Sequence, residues 1–545
     1  MKSYKIGLDF GTTNSILSYI NDSGNLETFR YPSVSGADYI PSCVSYDKNK
    51  DFIRIGRDAF RIAGDQSTEF YKDMKMMLPQ PEKEYKKLGW NEKKSPEEVI
   101  TDYLKKLLIS DKRNDYSFKK EIGHIEGIVL SVPQAWLTRQ ANHQGRPKLE
   151  KILKENLKLP LIQLISEPVA AAAYYSNWHK EEYNDFFDGN LLVCDMGGGT
   201  FDVTLCKLSK NKVEVIMNDG NGLFEIGKAG VYFDTEILKL AYKRIDSTNP
   251  LKEGTPIFYE FYKQLQEYKV DCSQQITDNI QTALSHPLYS KKLPIIENPL
   301  VCYMSDVETA FSEVKKGMEN VLESFLNLHK GEKTQIDRVI FVGGFNEFEL
   351  TKNTIKNYLN KHIDKISGEM KFIEEITSRM SAKAISYGAT LIANDIVKVQ
   401  EIYPHTIGIV LEWREVKDNK KEIKLINQKQ YIPIIKARDK LINYKKTTYH
   451  DQYLLSFEAH PKLTLYIKPH LSNKTAEKEI PKGLDIELPN FNKNNRWKVG
   501  MRLDESQIAY IVFIDEEKNI ESKPYELGNI LTEMFGLNGL IISKE

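Results

Sequence analysis

Positive charge is nowhere in excess: 76 Lys and Arg stand against 76 Asp and Glu, a formal net charge of zero. Nucleic acid, or an anionic membrane, usually demands a basic excess on at least one segment. The two short basic runs, Lys83 to Lys94 and Lys417 to Lys424, are interleaved with acids and read as solvated surface. Nucleic-acid and membrane partners are therefore not expected. Cysteine is also scarce. The five residues Cys43, Cys194, Cys206, Cys272 and Cys302 are scattered, with no Cys-x-x-Cys pair. That spacing argues against a disulfide framework and a structural zinc. No apolar run reaches the roughly 18 residues that a membrane span needs. Met1 to Lys5 lead into a short apolar stretch interrupted by Asp9, which is not the core of a signal peptide. The expected location is a reducing cytoplasm.

What is present is an ordinary globular composition, 41% hydrophobic and 28% charged over 545 residues. At about 150 residues per domain, three or four units are expected. Two architectures follow one another. In the first four hundred or so residues, Ile6 to Asp9, Gly127 to Val132, Leu191 to Asp195 and Arg338 to Val342 are apolar runs that suit strands buried in a sheet. Helical patterns lie between them. Ser95-Pro96-Glu97-Glu98 is a helix start, with Val99, Ile100, Tyr103, Leu104, Leu107 and Leu108 forming its apolar face. Such alternation predicts an α/β fold. From Ile407 the period becomes two. Along Trp497 to Leu503, Trp497, Val499, Met501 and Leu503 share one face, and Lys498 and Arg502 share the other. Several short strands of this kind predict a sandwich. One short helical candidate remains, around Glu526 to Phe535.

The most informative feature is an internal echo. Ile6-Gly7-Leu8-Asp9-Phe10-Gly11-Thr12-Thr13-Asn14-Ser15 is repeated in outline by Leu192-Val193-Cys194-Asp195-Met196-Gly197-Gly198-Gly199-Thr200-Phe201-Asp202. In each, an apolar strand ends at Asp and turns through Gly and Thr into another strand. Glycine lets the backbone approach a polyphosphate and turn its N–H groups toward the oxygens. Threonine adds hydroxyl donors, and the aspartate offers a hard oxygen to Mg²⁺ or its water. Either copy alone fits an ordinary tight turn. Two copies, 186 residues apart, fit a duplicated pair that clamps one triphosphate. A third turn, Gly343-Gly344-Phe345-Asn346, follows the run Val339 to Val342 and suits close approach to a nucleoside.

These motifs resemble the seventy-kilodalton heat-shock chaperones, within the wider actin-like ATPase group. Asp9 to Ser15 resemble the first phosphate motif and Asp195 to Val203 the second. Ser166-Glu167-Pro168-Val169-Ala170-Ala171-Ala172 resemble the hinge helix, Val132-Pro133 the mid-domain proline, and Ala384 to Ala389 the last hinge. The resemblance implies a two-lobed, ribonuclease-H-like α/β ATPase domain over 1–395 and a linker over 396–403, which its alternating pattern would equally let dock as an edge strand. It implies a β-sandwich-like domain over 404–515. The stretch 516–545 then has no room for the family's helical lid.

Carried over residue by residue, the resemblance implies ATP and Mg²⁺ as cofactors. Asp9 and Asp195 would hold the metal through its waters, with Glu167 and Asp202 ordering water and metal. Gly11, Thr12, Thr13, Asn14, Gly197, Gly198, Gly199 and Thr200 would contact phosphate. Lys75 corresponds to the catalytic lysine, with Lys72 as the nearby alternative. On the adenosine side, Lys269, Ser273, Gly343 and Gly344 match, Gln266 stands where the family has Glu, and the arginine that stacks on the base is absent. Phe345 either stacks in its place or belongs to the core. The implied output is a chaperone-like ATPase whose β domain engages unfolded polypeptide or a dedicated protein partner, under a co-chaperone or exchange factor. The alternative is a nucleotide-gated scaffold with little hydrolysis.

Overall fold

The computed structural model describes residues 2–32, 38–48, 53–86, 88–113, 115–138, 145–221, 229–286, 293–328, 332–373, 378–403, 405–418, 423–440, 446–454, 456, 458–468, 478–479, 483–504 and 506–527. The chain divides into two compact units, Met1–Val399 and Gln400–Glu545. Among the described residues no helix is long and apolar enough to cross a membrane, and all five cysteines are free thiols.

Two six-stranded sheets carry the first unit, and the internal echo sits at the same place in each. In the first sheet, Ser3–Phe10 is central. It pairs antiparallel with Asn14–Ile20 on one side and parallel with His124–Val132 on the other. In the second sheet, Gly189–Met196 is central. It pairs antiparallel with Phe201–Ser209 and parallel with Arg338–Val342. All four apolar runs are thus strands covered on both faces, the usual state of parallel pairs. Each sheet has its own core. Ser95 accepts from the Glu98 N–H while Glu98 accepts from the Ser95 N–H, closing a capping box at the start of Pro96–Leu108. All six expected apolar residues of that helix are buried in the first core.

The two segments read as hinges pack directly on each other. Helix Glu167–Tyr183 carries the alanine run, and helix Ser378–Ala393 carries Gly388. A Cβ on Gly388 would lie 1.7 Å from the Ala170 carbonyl oxygen, so only glycine permits this crossing. Gly7 performs the same service one layer down, where a Cβ would meet Thr390 N at 2.3 Å. Within 396–403, Lys398–Gln400 is a strand at the edge of the second sheet, and the Lys398 N–H donates to Asn211 O.

The second unit is built from a four-stranded and a five-stranded sheet whose apolar residues share one core. Ile407, Ile409, Leu465 and Ile467 come from one sheet; Trp497, Val499, Met501, Leu503, Ile511 and Phe513 come from the other. Trp497–Leu503 alternates as its sequence requires. The expected limit at 515 is corrected. Ile520–Glu521 and Tyr525–Glu526 both pair with Ala509–Asp515, and Leu527 is buried in the core. Two-residue strands lack the periodicity that sequence reading uses. Of the helical candidate Glu526 to Phe535, residues 528–535 lie outside the described residues, and Glu526 is in a strand.

Two outcomes check this packing. Gly388→Ala should cost about 1–3 kcal/mol, the usual penalty for forcing a side chain into a filled crossing, read as a lower melting temperature of the first unit. A chain ended after Asp515 should lose the melting transition of the second unit or lower it, while the full chain keeps it.

Candidate functional site

Asp9 and Asp195 end the two central strands, and the turns that follow them meet. A Cβ on Gly198 would lie 2.4 Å from Thr13 Oγ1, and one on Gly199 would lie 2.6 Å from Thr12 Oγ1. Each threonine of the first turn therefore sits against a glycine of the second. Gly11 leaves room for its own turn, where a Cβ would stand 2.1 Å from Asn14 O. The Gly197 N–H closes the second turn on Thr200 O at 3.2 Å, and the Val231 N–H reaches Gly198 O at 2.9 Å. This last bond brings the start of helix Gly230–Lys243 to the second turn.

Acids collect around one cation beneath the turns. Lys75, 2% exposed in the short helix Met74–Met77, forms an ion pair and hydrogen bond with Glu167, the first residue of its helix. Lys72 instead pairs with its neighbour Asp73, and its ammonium lies 5.1 Å from the Tyr262 ring centre. Of the two candidate lysines, Lys75 is thus the one among the acids. Asp9 Oδ1 accepts from Ser131 Oγ at 3.1 Å. Asp195 and Asp202 face each other across the hairpin. Asp202 Oδ1 accepts from the Ala135 N–H at 3.1 Å. The other oxygens, Asp195 Oδ2 and Asp202 Oδ2, are buried with no hydrogen-bond partner among the described residues. At Gly343, with φ +85°, a Cβ would lie 2.5 Å from Asp195 Oδ1, so only glycine fits beside that carboxylate.

This crowding shifts protonation. Withdrawal of the carboxyl from water and the nearby Glu167 charge push Asp9 up to about 7, against the pull of Lys75. Asp195 and Asp202 are raised well above the usual carboxylate range by burial first and by neighbouring acids second. Orphaned buried oxygens and carboxylates that hold protons mark a site short of positive charge. A divalent cation fits it. Among the described residues no three His, Cys, Asp or Glu side chains converge closely enough to ligate an ion directly. The unpartnered carboxylate oxygens suit a divalent cation such as Mg²⁺, and the glycine turns form a cradle that side chains would fill.

The nucleoside end is arranged differently. Lys269 Nζ and Gln266 Nε2 both donate to Asp234, each at 2.6 Å. Phe345 is buried, stacked on Phe348 with ring centres 5.4 Å apart and packed against Phe233. Of the two readings of Phe345, the core is where the structure puts it. Asn346 donates to the carbonyls of Cys194 and Val342, tying the Gly343-Gly344 turn to the second central strand. Gly344 is exposed with nothing near it, and Ser273 is exposed at the start of helix Ser273–Ser285. Sequence reasoning missed Asp234 and Ser131. Gln266 and Lys269, three apart on a helix, share a face, which signals a common acceptor. Nothing local singles out Asp234 as that acceptor.

The raised acids have a measurable consequence. An unfolded aspartate ionises near about 3.9, whereas folded Asp9 keeps its proton to about 7. The folded state binds that proton more tightly, so its stabilising contribution is complete below the unfolded value and lost as pH rises through about 7. The metal-free protein should therefore melt at progressively lower temperature from pH 5 to pH 8. Asp9→Asn should flatten that slope, and Mg²⁺ with ATP should reduce it. A slope unchanged by both would remove the acid cluster as its cause.

Comparison with known proteins agrees with this geometry. The model of the Hsp70 protein family matches residues 74–441. The chain is 26% identical over 444 residues to the chaperone protein DnaK of Thermosipho melanesiensis, covering 80% of this chain and 67% of that relative. It is 25% identical over 416 residues to DnaK of Thermotoga maritima, covering 75% and 64%, and 27% identical over 449 residues to DnaK of Metamycoplasma hominis, covering 80% and 66%. The chain thus spans about two thirds of the length of the curated relatives it matches. With paired glycine turns, a buried Lys75–Glu167 pair and a family match over most of its length, the chain belongs to the Hsp70 family.

Proposed function

We propose that this chain is a chaperone-like ATPase in which nucleotide state governs how the β unit engages an unfolded polypeptide or a dedicated protein partner. The observation that carries the reading is the interlock of the two turns, Thr12 against Gly199 and Thr13 against Gly198, directly above the acids and Lys75. On this reading Met1–Val399 is an actin-like, two-lobed ATPase domain, and the second unit is a β-sandwich. A cytoplasmic location, and a co-chaperone or exchange factor as regulator, belong to the same reading.

The residues have distinct tasks. Backbone N–H groups of Gly11, Thr12, Thr13 and of Gly198–Thr200 in the second turn hold phosphate oxygens, with the threonine hydroxyls as further donors. Asp9 and Asp195 would hold Mg²⁺ through its waters. When bound, Mg²⁺ neutralises charge on the phosphate oxygens. Lys75 presents its ammonium to the γ-phosphate and is held in place by Glu167. Asp202, fixed by the Ala135 N–H, orders water beside Asp195. Phosphoryl transfer of this type depends on positioning and electrostatic stabilisation more than on covalent chemistry, which suits a rigid, buried cluster.

A second reading has its own observation. With Lys269 and Gln266 bonded to Asp234 and Phe345 in the core, the nucleoside end lacks the grip the family uses. A nucleotide-gated scaffold with little hydrolysis would fit that arrangement.

Single-turnover hydrolysis of labelled ATP with Mg²⁺ separates the two. The ATPase reading expects a single-turnover burst from the full chain. It also expects a loss of about 100-fold or more in Lys75→Ala and Asp195→Asn, with ATP still bound by titration. Because Lys75→Ala leaves Glu167 buried and unpaired, the double variant Lys75→Met with Glu167→Gln serves as the folded control. No hydrolysis by the parent chain, with ATP bound, would select the scaffold. Unfolded polypeptide added to the full chain should change its affinity for ATP, since coupling between two sites is reciprocal in binding.

A further inference from the structure

The chain is neutral overall, but its charge is not evenly spread. A cavity of about 670 Å³ opens where helix Pro96–Leu108 ends, and its lining holds four lysines against one aspartate: Lys105, Lys112, Lys119 and Lys158 against Asp111. Lys119 Nζ donates to Asp111 Oδ2 at 2.8 Å, which satisfies that acid. Lys105, Lys112 and Lys158 are exposed and take part in no ion pair among the described residues. The four lysines lie seven or more residues apart in the chain, so no basic run shows in the sequence. Deeper in, the lining is apolar. Ile125, Leu157 and Leu159 are buried in the first core, with Ile109 packed against it.

Local needs explain only part of this. Lys105 stands in the last turn of its helix, where a cation offsets the dipole. Lys112 lies in the loop beyond and has no such task. Lys158 sits at φ +53°, in the left-handed region where glycine or asparagine is the usual occupant. Lysine there gives up backbone ease and sets a charge at the rim.

The same lining narrows the class of ligand. Phosphate sites draw on the N–H groups of helix N-termini, whereas Pro96–Leu108 brings its carbonyl end to this cavity. Among the described residues no arginine lines it, so the planar fork that grips phosphate is missing. No tyrosine, phenylalanine or tryptophan lines it either, which leaves a nucleic-acid base nothing to stack on. Separate ammonium groups on flexible stems, around an apolar floor, suit carboxylates spaced along a chain with an apolar side chain between them.

We infer that this cavity is a docking site for an acidic peptide segment of a partner protein. Asp and Glu side chains of the segment meet Lys105, Lys112 and Lys158, and an apolar side chain rests on Leu157, Leu159 and Ile125. None of these residues belongs to the acid cluster or the glycine turns, so the inference stands apart from the nucleotide reading.

Fluorescence anisotropy of the full chain with a labelled peptide of Glu and Leu, and with the matching peptide of Gln and Leu, tests it. Saturable binding of the acidic peptide, weakened by added salt, is expected. Lys112→Gln should reduce its affinity about 2- to 5-fold. Lys105→Glu combined with Lys158→Glu should reduce it about 10-fold or more, with the melting temperature near the parent's. A benzophenone-bearing form of the peptide should crosslink within residues 105–125 or 157–160. Crosslinks confined to Gln400–Glu545 would assign the binding to the β unit and overturn the inference. It would equally be overturned by unchanged affinity in the double variant, by equal binding of the Gln and Leu peptide, or by tighter binding of inorganic pyrophosphate or phosphatidylserine vesicles than of the acidic peptide.

Discussion

Three buried carboxylates, half-buried Asp9 and one buried ammonium meet inside the first unit, and this imbalance governs the design around it. Lys75 neutralises Glu167, which leaves Asp9, Asp195 and Asp202 to burial and mutual repulsion. In a medium of low effective dielectric such repulsion is large, and an ion pair rarely repays its own desolvation. The cluster is a poor way to stabilise a fold. Its persistence makes sense as a receptor for positive charge, and the nearby donors follow from that: the Ala135 N–H and the Ser131 hydroxyl each relieve one oxygen without supplying a cation.

Backbone proximity is the other half of the arrangement. Where the two turns meet, and where the two hinge helices cross, side chains have been removed so that main chain contacts main chain or a threonine hydroxyl. The first economy exposes N–H groups to a ligand. The second lets Gly388 and Ala170 touch without an interposed side chain.

Legibility in the sequence tracked how local each cause was. The strand-Asp-Gly turns, the capping box at Ser95 and the two-residue alternation of Trp497 to Leu503 are set by neighbours in the chain, and all three are present as read. The acid cluster was legible as far as motifs reach: Asp9, Lys75, Glu167, Asp195 and Asp202 come together, while the supporting hydroxyl of Ser131 does not announce itself. The place of Asp234 is determined by which segments the fold brings side by side, and no spacing in the sequence encodes that. The end of the β unit was placed short, since Ile520–Glu521 and Tyr525–Glu526 are held in place by the strand they join more than by their own pattern.

The pairing of the earliest and latest parts of the first unit also sets a schedule for synthesis. Ser3–Phe10 is made long before helix Ser378–Ala393, which covers Gly7 and follows it by nearly four hundred residues. Contacts so far apart in sequence are slow to form and leave apolar surface open meanwhile. A nascent chain of this protein therefore carries the Gly7 face of its first sheet uncovered until that helix has been made.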